Sequence, residues 1–513
     1  MEWRCSTPVL LFSCSGTRKH FDVSYQLVNT CIFHPESNKL QYELISLYTH
    51  LKLQHPKESQ ESMAVKDIRP DVLAVPFPAQ GHVMPLMKLC RKLANRGIKV
   101  TFVNAEHIYE KVITAMSEED KEKSHLELLS IPDGLQTEED RKNGLLESLR
   151  RTMRGNLTRL IEKINCENSD EKINCVIADT TLIGWILDVP KKVGAETVAF
   201  QPGATADMAL ILQIPKLIQL GNLDANGSIM KNEMINLSSE IPSWRNSELP
   251  WGVSSDLKAR KMVFECCQTA QQALHQAKWL ICNTFYELES SACNLIPNIC
   301  PVGPLLSSNS SSNGGSIWAE DRTCLNWLDK QQIGSVIYVS FGSLAVLSQE
   351  QFHELALALE LCGRPFLWVF RSNFANPNDF EQRVTERGKM VDWAPQEEVL
   401  AHSSVGCFLS HCGWNSTMEG ISMGVPFLCW PYFLDQFHNQ NYICDMWKIG
   451  LRLNPDENGL RSRHEINTKI EMLFSHNSIK ANALKLKEVA LRSISQSGTS
   501  FQNFETFVDY LKK

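Results

Sequence analysis

Residues 410–420, with the sequence SHCGWNSTMEG, bring a His, a Cys, a Trp, an Asn, a Ser and a Glu close together in the chain. Such a set suits three kinds of site: a metal centre with imidazole and thiolate ligands, a cysteine nucleophile with a histidine base, or a cradle for an anion. The choice among them depends on the secondary structure on which the stretch lies.

The stretch is predicted to be a turn between a strand and a helix. The apolar run VGCFLS (405–410) predicts a buried strand, and a helix is predicted from about Asn415. Gly413 lets the backbone approach a ligand closely, while the free N–H groups and the dipole of the helix start favour an anion. An anion cradle is therefore the interpretation that fits the position.

The two rival sites fit less well. His411 and Cys412 are adjacent and face opposite sides if extended, and no second ligand pair lies nearby at zinc spacing. Nothing in the sequence marks Cys412 as an activated thiol. For Asn415 and Ser416 two explanations stay open, because such side chains either cap a helix or donate to phosphate oxygens.

Length and composition narrow the class of protein. A chain of 513 residues is too long for one core, so two domains are expected. The net charge of -7 and the lack of a basic stripe argue against a nucleic-acid partner. The 17 cysteines are scattered and none has C-x-x-C spacing, which indicates free thiols in a reducing cytosol. The apolar stretch ISMGVPFLCWPYFL is interrupted by Gly and Pro and is too short to span a bilayer.

Strands and helices alternate in two parts of the chain. DVLAVPF (71–77), a helical segment and IKVTFVN (98–104) form a unit typical of a parallel sheet, and CVIAD (175–179) predicts a further strand. After the Ser/Asn/Gly-rich segment 303–318, which suits a linker, the alternation begins again at SVIYVSF (335–341). The pattern predicts two α/β domains, with ligands beyond the carboxyl ends of their strands.

A nicotinamide-dependent dehydrogenase shares this fold class. The chain contains no G-x-G, so the fingerprint that seats a pyrophosphate on the first strand-to-helix turn is missing, and a P-loop is equally absent. A turn that carries His, Asn and Ser but neither motif indicates another geometry for binding a nucleotide diphosphate.

A longer stretch around this turn resembles a known family. Residues 393–436, WAPQEEVLAHSSVGCFLSHCGWNSTMEGISMGVPFLCWPYFLDQ, closely resemble the signature box of plant secondary-product UDP-glycosyltransferases, members of glycosyltransferase family 1. Further resemblances run from about Met63 to the C-terminus, among them PFPAQGH, IPDGL, CNTFYELE, PVGPLL and VSFGS. The resemblance implies a GT-B fold, in which two Rossmann-like domains face each other across a cleft. It also implies that the N-terminal domain binds mainly the acceptor and the C-terminal domain the UDP-sugar.

The resemblance assigns roles within the UDP-sugar site. Trp393 would stack on uracil with Gln396 beside the base, and Ala394 belongs to the same binding set. Glu419 would accept the ribose hydroxyls, since a carboxylate accepts two protons readily. The diphosphate would be held by His411, Asn415, Ser416 and Ser343. The sugar would be contacted by Trp414, Asp435 and Gln436.

The resemblance also assigns the general base, to His82 in PAQGHVMPL. Gly81 is expected to permit a tight turn that leaves His82 at the carboxyl end of the first strand, facing the cleft. Asp179, which ends CVIAD, matches the acid that orients this histidine and stabilises its protonated form. The acceptor supplies the nucleophile, and attack from the face opposite UDP would invert an α-linked donor into a β-glycoside.

The predicted activity is inverting transfer of glucose from UDP-glucose to a hydroxyl or carboxyl of a small lipophilic acceptor, such as a flavonoid, phenol, terpenoid or hormone. In the family, a Gln at the position of Gln436 is associated with glucose as the donor sugar. The chain has no D-x-D, with which metal-dependent glycosyltransferases commonly bind a cation, so neither a metal nor a cofactor is expected. The alternative is a protein that binds a UDP-sugar without catalysis.

The acceptor pocket is expected to be lined by the N-terminal half of the chain, including QPGATADMALILQIPKLI (201–218) and IPSWRNSELPWG (241–252). Met84 stands where many relatives have Asn, and Gln201 stands where several have Trp. Both residues are expected to tune acceptor choice. The apolar composition of the two segments fits all four acceptor classes equally well.

The chain is predicted to consist of five parts. Residues 1–62 match nothing in the family and are expected to lie outside the fold. They are followed by an acceptor-binding domain (63–304), a linker (305–320), a UDP-sugar-binding domain (321–490) and a C-terminal helix within 491–513 that packs back on the N-terminal domain. We expect a cytoplasmic monomer without a transmembrane segment, whose partners are small molecules.

Overall fold

The computed structural model describes residues 71–116, 126–167, 172–230, 234–252, 256–307, 316–370 and 380–513. The expected N-terminal extension 1–62 and the central part of the expected linker, 308–315, lie outside the described residues. Within those ranges, no helix is both long and apolar enough to cross a bilayer, and the cysteines are free thiols.

The first sheet is entirely parallel. Its strands are β1 (Asp71–Val75), β2 (Lys99–Ala105), β3 (Leu126–Ile131), β4 (Ile173–Asp179), β5 (Glu196–Gln201), β6 (Trp279–Cys282) and β7 (Ile299–Pro301). They lie in the spatial order β3-β2-β1-β4-β5-β6-β7. Helices cover both faces of such a sheet, so its strands are apolar without alternation. The strand β1, DVLAV, is accordingly buried along its whole length.

Helices pack on both faces of this sheet. They are α1 (Gln80–Ala94), α2 (Glu106–Ala115), α3 (Glu138–Glu167), α4 (Thr180–Ile186), α5 (Asp188–Lys192), α6 (Thr205–Gln219), α7 (Leu257–Leu274) and α8 (Ser290–Cys293). Helix α1 buries Val83 and Leu86 in one core together with Val72 of β1. Helix α4 buries Leu182 in the other core, together with Leu73. Neighbouring residues of β1 thus enter opposite cores, as the alternation of side chains along a strand requires.

The second sheet is also parallel. Its strands are β8 (Val336–Ser340), β9 (Phe366–Val369), β10 (Gly388–Val391), β11 (Val405–Ser410), β12 (Phe427–Cys429) and β13 (Gly450–Arg452). Their order is β10-β9-β8-β11-β12-β13. The helices of this domain are α9 (Thr323–Leu328), α10 (Gln349–Leu361), α11 (Phe380–Val384), α12 (Gln396–Ala401), α13 (Trp414–Met423), α14 (Gln436–Asn441), α15 (Arg463–Ser475) and α16 (Asn477–Ser493). The prediction of two α/β domains with parallel sheets is confirmed.

The last helix, α17 (Thr499–Leu511), belongs to the first domain. Its residues Phe507 and Val508 are buried in the same core as Val72, and the rings of Phe507 and Trp279 lie 5.4 Å apart. Helix α16 before it packs in the second domain, where it buries Ala490. The chain therefore returns to the first sheet only after α16.

The strand order of each sheet reverses at one place, between β1 and β4 in the first and between β8 and β11 in the second. The crevice beyond the carboxyl ends of strands at such a place is where open α/β sheets bind ligands. The strands β1, β8 and β11 lead to His82, Ser343 and His411, and β4 ends at Asp179. The topology thus directs the predicted site residues of both domains to this crevice.

Candidate active site

A cavity of about 660 Å³ is lined by residues of both domains. Twelve of the predicted site residues line it: His82, Ser343, Trp393, Ala394, Gln396, His411, Trp414, Asn415, Ser416, Glu419, Asp435 and Gln436. The remaining one, Asp179, is fully buried and contacts His82. The fold therefore gathers residues from distant parts of the chain into one site.

His82 and Asp179 form a directly bonded pair. The Nδ1 atom of His82 lies 2.8 Å from Oδ2 of Asp179, and the other carboxylate oxygen accepts the backbone N–H of Thr181 at 2.8 Å. The carboxylate is therefore fixed at the start of α4. A proton on Nδ1 that is shared with Asp179 leaves Nε2 as the acceptor nitrogen, and 31% of the His82 side chain is exposed.

The electrostatics of His82 favour a stronger base than an ordinary histidine. Burial lowers the pKa of His82, but the charge and hydrogen bond of Asp179, together with the charge of Asp435, outweigh it and raise the pKa above its usual value. Asp435 comes from the second domain. The basicity of His82 therefore depends on both domains.

The role expected for Gly81 is wrong. Gly81 lies within the first turn of α1, in a helical conformation rather than in a tight turn. Its carbonyl oxygen accepts the side-chain N–H of Asn415 at 2.6 Å. A Cβ on Gly81 would lie 3.6 Å from that nitrogen, an ordinary contact. The backbone of Gly81 thus contributes an interdomain hydrogen bond, and neither the helix nor this contact requires glycine.

His411 is enclosed by two glycines. A Cβ on Gly342 would lie 2.6 Å from Nε2 of His411, and a Cβ on Gly413 would lie 2.5 Å from the same atom. Gly413 was expected to admit a ligand, but its missing side chain makes room for this imidazole. Burial lowers the pKa of His411 to about 4. At neutral pH the imidazole is therefore uncharged and can contribute a neutral N–H.

Asn415 and Ser416 do not cap the helix that they begin. The N-cap of α13 is Gly413, which has no side chain to bond the helix N–H groups. Asn415 instead donates to Gly81 and accepts from Nδ2 of Asn283 at 3.1 Å. The Ser416 hydroxyl accepts from Gln396 at 2.8 Å. The first N–H groups of α13 therefore keep the capacity to bind an anion.

Cys412 is packed inside the protein. It is fully buried, and its backbone N–H donates to the hydroxyl of Ser410 at 3.1 Å. Its φ of 66° places it in the left-handed region, which is uncommon for a residue other than glycine. A packing role fits this position, whereas a nucleophile would have to reach the cavity.

Glu419 lies in a network that also contains a residue of the first domain. One of its oxygens accepts from Gln396 at 2.7 Å, and the other lies 3.4 Å from the ammonium of Lys88 on α1. Lys88 also forms an ion pair with Glu397, which accepts the backbone N–H of Ser307 at 2.9 Å. Burial lowers the pKa of Lys88, but the charges of the two glutamates outweigh it and raise that pKa, so the ammonium stays charged.

The expected uracil position lies beside two indole rings. Trp393 is half-buried, and its ring centre lies 6.0 Å from that of Trp318 at an angle of 37°. Ala394 is buried next to it. The side-chain carbonyl of Gln396 accepts the Tyr338 hydroxyl at 3.1 Å, so the orientation of this amide is fixed by protein contacts.

The three residues expected at the sugar differ in which of their polar atoms already form hydrogen bonds within the protein. The indole N–H of Trp414 donates to the backbone carbonyl of Asn283 at 2.7 Å, so the ring surface and the main chain remain for a sugar contact. The side-chain carbonyl of Gln436 accepts the backbone N–H of Tyr432 at 2.8 Å. Asp435 precedes α14 without capping it, and Asn439 donates to it at 2.8 Å.

The first-domain wall of the cavity is mostly apolar. Met84 and Gln201 line it, together with Phe77, Met208 and Ile211. Of the segment 241–252, Pro250 lines the cavity, whereas Trp244 and Trp251 are buried in the protein core. The segment 241–252 therefore contributes Pro250 to the cavity wall, whereas its two tryptophans stabilise the core.

Five acidic or basic residues of the cavity were not predicted from the sequence: Lys88, Asp207, Glu320, Glu397 and Glu398. Lys88 carries a recognisable pattern, because it is a charge on the otherwise apolar buried face of α1. Glu397 and Asp207 each lie in the first turn of a helix, where an acidic residue is ordinary and draws no attention.

Known plant proteins are similar to this chain over most of its length. A family model described as UDP-glucoronosyl and UDP-glucosyl transferase matches residues 71–491. The chain is 41% identical over 456 residues to UDP-glycosyltransferase 83A1 of Arabidopsis thaliana, covering 86% of this chain and 97% of that protein. It is 31% identical over 469 residues to linamarin synthase 1 of Manihot esculenta, covering 86% and 96%.

Solved structures share the fold. Os79 from O. sativa, in complex with UDP, superposes with a TM-score of 0.73 at 25% identity, covering 86% of this chain and 100% of that one. A UDP-glucosyltransferase from Polygonum tinctorium that glucosylates indoxyl, in complex with 3,4-dichloroaniline, gives a TM-score of 0.73 at 25% identity, covering 87% and 99%. The predicted arrangement of two Rossmann-like domains is confirmed by these neighbours.

Proposed function

The chain belongs to the family of UDP-glucoronosyl and UDP-glucosyl transferases, and from this membership we propose that it transfers glucose to a small lipophilic acceptor with inversion at the anomeric carbon. Transfer of a sugar from a UDP-sugar is the activity of the family. The observation that carries the proposal is the 2.8 Å bond between His82 and Asp179, which leaves the second nitrogen of the base available in a cavity shared with the turn around His411.

The reaction begins with the acceptor hydroxyl, or carboxyl, beside His82. Nε2 of His82 takes the proton while the acceptor oxygen bonds to the anomeric carbon of glucose. The bond between that carbon and the phosphate oxygen breaks, and its electron pair leaves with UDP. Asp179 stabilises the imidazolium that forms. Because the acceptor attacks from the face opposite UDP, the α-linked donor becomes a β-glucoside.

The departing UDP gains negative charge, which needs hydrogen-bond donors already in place. We assign this role to the first N–H groups of α13 and to the side chains of His411, Asn415, Ser416 and Ser343. The low pKa of His411, about 4, makes its contribution that of a neutral N–H. The helix dipole supplies the positive end at the same place.

The nucleoside is assigned to the other end of the cavity. Trp393 offers a ring face for uracil, with Ala394 and Gln396 beside the base, and Glu419 offers a carboxylate for the ribose. The carboxylate of Glu419 already accepts from Gln396 and Lys88. A carboxylate has about four acceptor positions, so the two ribose hydroxyls can bind without displacing both partners. Trp414, Asp435 and Gln436 are assigned to glucose.

We propose that no metal ion takes part. The sequence has no D-x-D, and donors of the chain itself surround the assigned diphosphate position. Product formation in excess EDTA is expected to equal that in untreated protein. Loss of activity with EDTA, followed by recovery with Mg²⁺ or Mn²⁺, would contradict this part of the proposal.

The acceptor class and the cellular setting are proposed on similar grounds. The apolar wall formed by Phe77, Met84, Met208 and Ile211 supports an acceptor with an apolar body. A cytoplasmic monomer is in keeping with the free thiols of the described ranges, most of which are buried.

The decisive experiment measures UDP release and product mass with UDP-glucose and a panel of phenols. His82→Ala is expected to reduce the rate by about 10²- to 10⁴-fold, because it removes the base, and to leave UDP binding measurable by calorimetry. His476→Ala, which alters an exposed histidine at the end of α15, is the matched control.

Two results would overturn the proposal. UDP release that persists in His82→Ala would exclude the assigned base. A wild-type protein that binds UDP but releases none from UDP-glucose with any acceptor would instead support non-catalytic binding of the UDP-sugar.

A further inference from the structure

A buried carboxyl of the first domain lines the cavity and takes no part in the mechanism above. Asp207 lies in the first turn of α6, and 6% of it is exposed. Among the described residues, its Oδ1 atom has no hydrogen-bond partner. Buried polar atoms are nearly always paired in folded proteins, so a carboxyl with an unpaired oxygen in the wall of a ligand cavity requires an explanation.

A role in starting the helix does not explain Asp207, because another residue fills that role. Glu289 accepts the backbone N–H of Thr205 at 3.0 Å and that of Ala206 at 3.1 Å. These are N–H groups of the first turn of α6, which have no partner within the helix itself. The stabilisation that an acid gives to a helix start therefore comes from Glu289.

The surroundings of Asp207 disfavour a carboxylate. Burial raises its pKa most, and the carboxyl groups of Asp435 and Glu289 raise it further. The nearby indole of Trp244 lowers the pKa by less, and among the described residues its N–H has no hydrogen-bond partner either. The pKa of Asp207 is therefore raised, which favours the protonated, neutral form of its carboxyl. A neutral carboxyl has one O–H donor and a carbonyl acceptor.

The position of Asp207 relates it to the reacting groups. His82, Asp207 and Asp435 line the same cavity, and the charge of Asp435 raises the pKa of both other residues. Asp207 nevertheless belongs to the acceptor domain, and Met208 and Ile211 of the same helix line the cavity with apolar side chains. It is thus a polar group within an otherwise apolar part of the wall.

We propose that Asp207 binds a second polar group of the acceptor, a hydroxyl or an amine separate from the hydroxyl that receives glucose. This inference rests on the proposed function, since it concerns the acceptor that lies beside His82. It narrows the substrate class to molecules with an apolar body and at least two hydrogen-bonding groups. A substrate with one hydroxyl would leave the carboxyl of Asp207 unpaired, which costs binding free energy.

Matched acceptor pairs test the inference. The pairs are hydroquinone with phenol, dihydroxynaphthalene with naphthol, and biphenol with phenylphenol, which differ in one hydroxyl and in the distance between the two. We expect wild-type protein to prefer the diphenol in at least one pair by about tenfold in kcat/KM, the effect of one hydrogen bond. Asp207→Leu is expected to remove that preference while the rate with the monophenol stays within about threefold of wild type.

Asp207→Asn provides the second variant. An amide also donates and accepts, so it is expected to keep part of the preference and serves if Asp207→Leu does not fold, as judged by thermal unfolding and UDP binding. The inference is overturned by wild-type protein without a preference in all three pairs, by Asp207→Leu that keeps it, or by Asp207→Leu that changes only the KM for UDP-glucose. Turnover of the monophenols separates these results from a failure of the proposed function, in which no acceptor releases UDP.

Discussion

On the side of the second domain, the cavity wall is a network in which Gln396 donates to both Ser416 and Glu419, and Tyr338 donates to Gln396. On the side of the first domain, the wall near Met208 and Ile211 is apolar. Fixed hydrogen bonds suit a ligand that never changes, which for this family is the UDP part of the donor. An apolar wall selects by shape and tolerates variation. Donor and acceptor recognition should therefore respond to mutation in different ways.

The largest effect is expected at Asp179, which bonds the proposed base His82. Asp179→Asn keeps the shape of the side chain but removes the charge that stabilises protonated His82, so kcat is expected to fall on the order of 10³-fold. Steady-state kinetics with UDP-glucose and a phenol measure it. Asp188→Asn, which changes an exposed acid in α5 of the same domain, is the control.

The pH dependence of kcat/KM in Asp179→Asn tests whether Asp179 raises the pKa of His82. His82 accepts a proton only when neutral, so wild-type kcat/KM is expected to fall as the pH drops through the raised pKa of His82. Without Asp179, burial prevails and lowers that pKa, so the acid limb should move to lower pH. An acid limb that stays in place, or moves to higher pH, would contradict the assignment.

The next effect is expected in the donor network, at Lys88. Lys88→Met leaves Glu397 and Glu419 buried without their cation, so the free energy of unfolding should fall by about 3 kcal/mol. The KM for UDP-glucose should rise by about tenfold, the effect of one well-placed polar contact, with a smaller change in the acceptor KM. Urea unfolding and kinetics measure the two effects. Lys88→Arg retains the charge and is the matched control, and an unchanged donor KM in Lys88→Met would separate Lys88 from donor binding.

A smaller effect is expected on the acceptor wall. Ile211→Ala removes apolar surface from the cavity, so kcat/KM should change by about tenfold or less, in a direction that depends on acceptor size. The affinity for UDP, measured by calorimetry, should stay the same. Ile211→Val is the graded control. Equal losses for small and large acceptors would argue against recognition by shape.

The smallest effect is expected in the pH dependence of folding stability, through the carboxyl of Asp207. Its pKa is raised in the folded protein, so the folded state holds a proton that the unfolded state releases. Stability from this group is complete below the ordinary carboxyl pKa of about 4 and is lost as the pH rises through the raised value. Asp207→Asn should therefore be more stable than wild type at neutral pH, by a margin that grows with pH. Thermal unfolding from pH 4 to 9 measures this, and a margin that shrinks with pH would contradict it.

The positions of His82, Asp179 and His411 could be predicted because each follows or ends a buried strand and lies in a recognisable motif. Parallel strands place such residues at one edge of a sheet whatever the rest of the chain does. The local sequence pattern was sufficient for these three residues, because each lies close in sequence to the end of its strand.

The roles of Gly81 and Trp414 could not be predicted, because each depends on a contact with a residue far away in the sequence. Gly81 bonds Asn415, and Trp414 bonds the carbonyl of Asn283. Lys88 likewise finds its partners on helices of the other domain. Such contacts follow from how the two domains meet, which periodicity and motif spacing do not encode.

The return of the chain to the first domain after α16 has a mechanical consequence. The polypeptide passes between the domains once before α9 and again between α16 and α17, where a Cβ on Gly498 would lie 2.1 Å from the carbonyl oxygen of Arg492. A body joined at two points cannot swivel freely about either one. Two connections therefore restrict the relative motion of the two domains more than a single connection would.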